Sequence, residues 1–429
     1  MNIKKKSMKL IAVIICLLII ANGASCGSSQ PGGETAAPPS VSPGSPAPSG
    51  TPQPPSPESP SPTPPSASPV SAPPETPPPP ATPPTPAQKL VPYDGVVENL
   101  FFHEVIAYPE LAFDGDSMQK GYDTNMVTVS EFNKMIESIY NNGYILVNMN
   151  DVWSEYTDEN GVQKMKKNTL MLPEGKKPLI LSFDDLSFYK YMSGDGFMSK
   201  LIVGADGEIW ATGVDPNGNA VTSQDLTVVT IIDKFVKEHP DFSLNGVKGC
   251  IALTGYEGIL GYRTQTDKNN DTAEFKLNRM QEIARVRPVI QKLKETGWYF
   301  ASHSYGHINL ETSTLEQVKA DANRWLDEVG SLVGETKLFF YPFGTRLDGG
   351  DVYSTGPAFL FYYGLGFRIF ASVGYESFSR IKPDIAAVVC DRMHADGTTL
   401  RQDRERYLKF YDAALVFDPM RPSEYGTSW

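Results

Sequence analysis

Cysteine is scarce in this sequence: four of 429 residues, at positions 16, 26, 250 and 390. Cys250 and Cys390 each sit inside an apolar, strand-like run and read as two buried thiols, although an exported compartment would permit a disulfide between them. Basic blocks are missing from the body of the chain, where acids exceed bases; the whole chain carries 50 Asp and Glu against 38 Lys and Arg. That argues against nucleic acid as a partner. An acidic surface is also repelled by anionic lipid headgroups, so contact with a membrane has to come through an anchor. No apolar run reaches the ~20 residues of a comfortable membrane span; residues 10–21 supply only 12. From 31 to 86 large apolar side chains are almost absent, while 24 of the 36 prolines are concentrated there. Such a stretch cannot bury enough surface to offset the entropy of ordering. Histidine is rare as well, with five in all, which makes their placement informative.

What is present begins with an export signal. Lys4, Lys5, Lys6 and Lys9 precede the short apolar stretch, and Gly23-Ala24-Ser25-Cys26 follows it. Residues 1–25 therefore read as a lipoprotein signal peptide. Small residues before a cysteine resemble a bacterial lipobox, with Gly23 where Leu is usual, and Cys26 is then the lipidation site. Residues 26–89 read as a Pro/Ser-rich disordered tether. In polyproline II its proline-rich part would reach at most on the order of 170 Å. The expected location is the extracytoplasmic face of a bacterial cell membrane, anchored by lipid and reaching into the cell wall.

Residues 90–429 alternate strand and helix. Strand-like runs fall at 100–106, 178–183, 247–253, 298–302, 338–341, 367–373 and 385–390. Residues 129–142 carry Phe132, Met135, Ile136 and Ile139 at helical spacing, stopped by Gly143. A long helix is expected over 273–296, interrupted near Pro288. Ser313 and Glu316 read as a capping box for a helix to about 333, and a closing helix is expected over 399–411. This order predicts an α/β fold with parallel strands, a distorted (β/α) barrel. Asp206-Gly207 and Asn217-Gly218 are hairpin signals, so an inserted β-hairpin ribbon is expected within 190–245.

In such a barrel, chemistry sits where strands end at their C-terminal edge. Asp184 and Asp185 follow one apolar strand, His303 and His307 another, Pro342-Phe343-Gly344 a third, and Arg392 and His394 a fourth. His103 ends an earlier strand, whereas His239 precedes a proline and reads as surface. Adjacent acids alone are commonest on solvated loops, and paired histidines alone are often caps. Together, one or two carboxylates and two imidazoles from different strand ends make a ligand set for Zn, Co, Mn or Fe.

Ser182-Phe183-Asp184-Asp185, His303-Ser304-Tyr305-Gly306-His307 and Tyr341-Pro342-Phe343-Gly344, in that order, resemble the first three motifs of the polysaccharide deacetylase family, the NodB-homology group or carbohydrate esterase family 4. The resemblance runs over about 98–415. It implies metal-dependent removal of acetyl groups from an N-acetylated glycan polymer, peptidoglycan or poly-N-acetylglucosamine. It also implies one divalent metal, Zn first with Co, Ni or Mn as alternatives, on Asp185, His303 and His307. Asp184 becomes the general base, the backbone N–H of Phe343 an oxyanion donor, and His394 the general acid. Tyr341 and Tyr375 are assigned to substrate binding.

The sequence departs from the family at two places. The family often has Arg two residues before the motif proline, where Phe340 stands here. Arg392 is expected to pair with Asp184 instead, because it shares a strand face with His394; Arg346 is the other candidate. The acid's usual partner is not legible, and Asp396 or Asp391 is expected to orient His394. These departures keep open a glycan-binding or assembly lipoprotein with a degenerate deacetylase fold. An O-acetyl polysaccharide esterase is a variant of the first reading, and an Fe(II) oxygenase triad a third.

Overall fold

Seven strands follow one another along the chain: β1 (Glu98–Phe102), β2 (Lys177–Asp184), β3 (Gly249–Leu253), β4 (Trp298–Ser302), β5 (Leu338–Phe340), β6 (Ile369–Val373) and β7 (Val388–His394). They are taken from a computed structural model, which describes residues 89–349 and 355–429. The signal segment, Cys26 and nearly all of the Pro-rich stretch lie outside the described residues. Each strand pairs in parallel with the next. β7 then returns to β1 through Met393↔Leu100 and His394↔Phe101. The sheet is therefore a closed barrel, and it is distorted: β4 and β5 share a single register pair, Ser302↔Phe339, against five between β3 and β4.

Helices cover the barrel. They are α1 (Val129–Asn141), α2 (Val228–Glu238), α3 (Ala273–Glu295), α4 (Leu315–Trp325), α5 (Pro357–Gly364) and α6 (Gly397–Gln402). α1 shows why they form. Thr128 and Glu131 close a capping box, and Phe132, Met135, Ile136 and Ile139 are buried in one stripe. Burying each such side chain is worth roughly 1.5–3 kcal/mol, so the stripe outweighs any propensity term. Gly143 then takes φ +80°, which a residue with a Cβ resists.

The boundaries corrected by the structure have local causes. α3 is unbroken across Pro288. Its C-terminal half is held by buried Val286, Val289, Ile290 and Leu293, and in a 23-residue helix one lost hydrogen bond is tolerated. The capping box of α4 is Thr314 with Gln317, one residue later than expected. The Ser/Thr-x-x-Glu/Gln pattern occurs twice in overlapping register, and Ser313 instead donates to the Asn309 carbonyl at 2.7 Å. The closing helix is two short ones, α6 and Arg404–Tyr407, separated at Asp403. The ribbon has three antiparallel strands, Lys200–Val203, Ile209–Val214 and Ala220–Ser223.

Strand alternation splits the core in two. Leu179, Leu181, Phe183, Ile251, Leu253, Phe339 and Phe370 join the helix-facing cluster. Ile180, Cys250, Ala252, Ala301, Leu338, Phe340, Ala371 and Cys390 join a second cluster inside the barrel. Met149, Val152, Trp153, Met165, Leu170 and Leu172 belong to that inner cluster and close the end where strands begin. The phenol of Tyr299, near the start of β4, accepts the Met149 N–H there. Both described cysteines are buried and free. No helix among the described residues is long and apolar enough to cross a membrane.

Candidate active site

Successive strand residues point to opposite faces. Phe101, Ser182, Asp184, Phe340, Arg392 and His394 therefore share the inward register, and His303 continues that of β4 one residue past its end. Asp184 and Arg392 meet at the centre. The Arg392 Nη1 and Nη2 donate to the two Asp184 oxygens at 2.7 and 2.8 Å, and Nη1 also donates to Ser182 Oγ at 3.1 Å. The guanidinium lies between two aromatic faces, 4.4 Å from the Phe101 ring centre and 4.2 Å from that of Phe340. Phe340 holds the place where the family often has Arg. Here it is a stacking partner for an arginine supplied by β7. Burial pushes the Asp184 pKa up, but Arg392 and then His303 outweigh it, leaving it at about 2. Arg346 pairs with Asp391 instead.

Asp185 leaves the barrel register. Its φ is +62°, and Ser304, His307 and Phe343 also have left-handed backbones, at +57°, +50° and +57°. Such conformations carry strain of order 1–3 kcal/mol each, and they collect at working sites. Here they turn side chains from three strand ends toward one point. One ligand atom from each of Asp185, His303 and His307 lies within 4.8 Å of the others. His303 donates from Nδ1 to the Phe340 carbonyl at 2.9 Å, which leaves its Nε2 lone pair free to ligate. Burial lowers the His307 pKa to about 4 despite the opposing charge of Asp185. A neutral imidazole at neutral pH is the form a cation requires. One carboxylate and two such imidazoles fit a divalent ion and leave positions for other ligands.

His394 lies at the end of β7 and donates from Nδ1 to Asp396 Oδ2 at 2.8 Å. Burial lowers its pKa, but Asp396 more than compensates and the net shift is upward. Of the two candidate partners, Asp396 holds His394 and Asp391 does not. The ring of Phe343 packs edge-on against His307 at 4.3 Å. His103 is anchored through Nδ1 to the Asn125 carbonyl at 3.1 Å. His239 ends α2 with its ring against Tyr140 and Phe235, apart from the metal-type set.

The structure does not bring Tyr341 and Tyr375, the two tyrosines expected to bind substrate, to this cluster. Tyr341 is buried, with its ring against Phe339 and Phe370. It is one residue out of phase with Phe340, so it faces the helices. Tyr375 is half exposed, with the Arg406 guanidinium 4.4 Å from its ring centre. Two residues with a part in the site had not been singled out. The Tyr189 hydroxyl donates to Asp185 Oδ1 at 2.6 Å and bonds Thr254 Oγ1 at the same distance. Asp321, on α4, accepts the backbone N–H groups of Tyr305 and Gly306, both at 2.7 Å, and so clamps the turn between His303 and His307. Neither has a local sequence signal, because the contact of Asp321 spans 16 residues and Tyr189 follows a turn.

Residues 266–349 match the family model described as polysaccharide deacetylase. The match takes in His303, His307 and 341–344 and does not reach β2 or β7. No curated protein matches the chain significantly. Among solved structures it is similar to a Streptococcus pyogenes deacetylase in complex with acetate, at 12% identity and a TM-score of 0.39, over 75% of this chain and 100% of that one. It is also similar to a polysaccharide deacetylase from Bacillus cereus, at 13% identity and a TM-score of 0.37, over 71% of this chain and 66% of that one.

Proposed function

We infer that this chain, whose residues 266–349 match the polysaccharide deacetylase family model, is a metal-dependent hydrolase that removes acetyl groups from an N-acetylated cell-surface glycan. The observation that carries the reading is the ligand set of Asp185, His303 and His307 beside a second, buried carboxylate, Asp184, held by Arg392. A structural ion pair has no need of a metal-type triad beside it.

A divalent ion on that triad, zinc first, would lower the pKa of a bound water toward ~7 and polarise the acetyl carbonyl. The protein's own groups divide the remaining work. Asp184 takes the proton from the attacking water. Its pKa of about 2 keeps it charged at any working pH, so Arg392 fixes its orientation without strengthening it as a base. The backbone N–H of Phe343, on its left-handed turn, is assigned to the developing oxyanion. His394, whose protonated form Asp396 favours, gives its Nε2 proton to the leaving amine. Tethering through a lipid on Cys26 would hold the domain outside the membrane, near peptidoglycan or poly-N-acetylglucosamine.

The test is acetate release from N-acetylglucosamine oligomers with zinc, with cobalt and with chelator, beside Asp184→Asn. Metal-dependent acetate that disappears in the variant supports the reading. A metal-loaded protein that releases no acetate from N-acetyl oligomers, but does from an O-acetylated polymer, would overturn the N-acetyl assignment.

A further inference from the structure

Three tyrosine rings stack beside the metal-type triad. Tyr191 lies 5.5 Å and Tyr256 5.0 Å from the ring of Tyr189, each inclined to it by 15°. Tyr189 is 4% exposed, whereas Tyr191 is 47% and Tyr256 38% exposed. The buried ring is tied to the chemistry, because its hydroxyl donates to Asp185.

The stack is held rigid from below. The Lys190 N–H donates to Glu257 Oε2 at 2.8 Å, joining the turn after β2 to the loop after β3. Arg263 donates to the carbonyls of Glu257 and Phe188 at 2.8 and 2.7 Å. Gly255 and Tyr256 both donate to the Tyr305 carbonyl, within the turn that carries His303 and His307. A Cβ on Gly255 would lie 2.5 Å from the Tyr305 ring, so only glycine allows that approach. The segment carrying Tyr256 and the ligand turn are therefore joined directly through backbone.

We propose that the exposed rings of Tyr191 and Tyr256 form a glycan subsite for hexosamine units flanking the one that loses its acetyl group. Pyranose rings present flat C–H faces, which pack on the electron-rich face of a phenol ring. Their hydroxyl rims meet the phenol oxygens. Arg263, near the stack, is engaged with Glu257 and two carbonyls. What the rings offer a polymer is therefore their uncharged faces, which suit a neutral N-acetylhexosamine chain.

This subsite rests on the glycan-deacetylase reading, and the experiment separates the two. Acetate release from the N-acetylglucosamine pentamer and from the monomer is measured for the zinc-loaded full chain. The same is done for Tyr191→Ala, Tyr256→Ala and their Phe counterparts. Pentamer binding to Asp184→Asn forms, with and without the Ala changes, is followed by calorimetry. The subsite predicts that each Ala variant lowers the pentamer-to-monomer ratio of kcat/KM by roughly two- to tenfold, mainly through KM, the size of one lost stacking contact. Pentamer binding weakens in parallel, and Phe restores both. An unchanged ratio and unchanged binding in the Ala variants of an active enzyme would overturn the subsite and leave the function standing. No acetate from either sugar by the unmodified chain would overturn both.

Discussion

The two ends of the barrel are built on the same strands by the same alternation, yet they are made of different material. Where the strands begin, the inward positions are Ile180, Cys250, Leu338, Ile369 and Val388, plugged by Met149, Val152, Trp153 and Leu172. Where they end, the inward positions are Asp184, His303, Arg392 and His394, and Asp185, Ser304, His307 and Phe343 turn through left-handed backbone. The first end is an apolar cluster. The second has a buried ion pair, three imidazoles and these four left-handed residues in its turns. Fold stability and chemistry are thus separated along the barrel axis, and changes at one end should be read in different measurements from changes at the other.

The largest effect is expected from removing a ligand at the strand ends. His303→Ala should lose both the metal and acetate release, with turnover down by at least ~10³-fold, because this residue is a proposed ligand and also ties β4 to the Phe340 carbonyl. Metal analysis beside an acetate assay checks this. Arg392→Met should break the separation of roles: it leaves Asp184 buried without its partner, and removing one member of a buried pair costs about 3–5 kcal/mol. Denaturant unfolding should show that loss, and acetate release should fall as well. At the other end, Leu338→Ala should cost about 2–5 kcal/mol of stability by opening a cavity, with kcat per folded molecule kept. If kcat collapsed in that variant, the separation between the ends would be wrong.

The smallest effect is a shift in pH dependence. A general acid must be protonated, and Asp396 raises the His394 pKa above its ordinary value. The alkaline limb of kcat/KM should therefore lie above that value and move to lower pH in Asp396→Asn. On the acid side Asp184 stays charged down to about 2, so loss of activity in acid should follow protonation of the histidine ligands and loss of bound metal, which metal analysis across the acid limb checks.

Much of this architecture is legible in the sequence where a local rule applies. The apolar stripe of α1, the two Gly-containing turns of the ribbon and the order of strands and helices each carry a period or a turn signal. The polar residues at four strand ends were legible for the same reason. Arg392 could be matched to Asp184 because it shares parity with His394, even though the usual arginine position holds Phe340. Other features depended on contacts the chain order hides. The clamp of Asp321 on the His303–His307 turn comes from a helix packed above it. The motif position of Tyr341 suggests the site, whereas strand alternation sends its ring to the helices. The caps of α4 overlap by one residue, and only packing chooses between them.

The most direct measurement is metal stoichiometry and acetate release on the same samples of the unmodified chain, Asp184→Asn and His303→Ala. The account predicts one divalent ion and turnover in the first, the ion without turnover in the second, and neither in the third. An Asp184→Asn protein that lost its metal, or a His303→Ala protein that kept both metal and turnover, would contradict it.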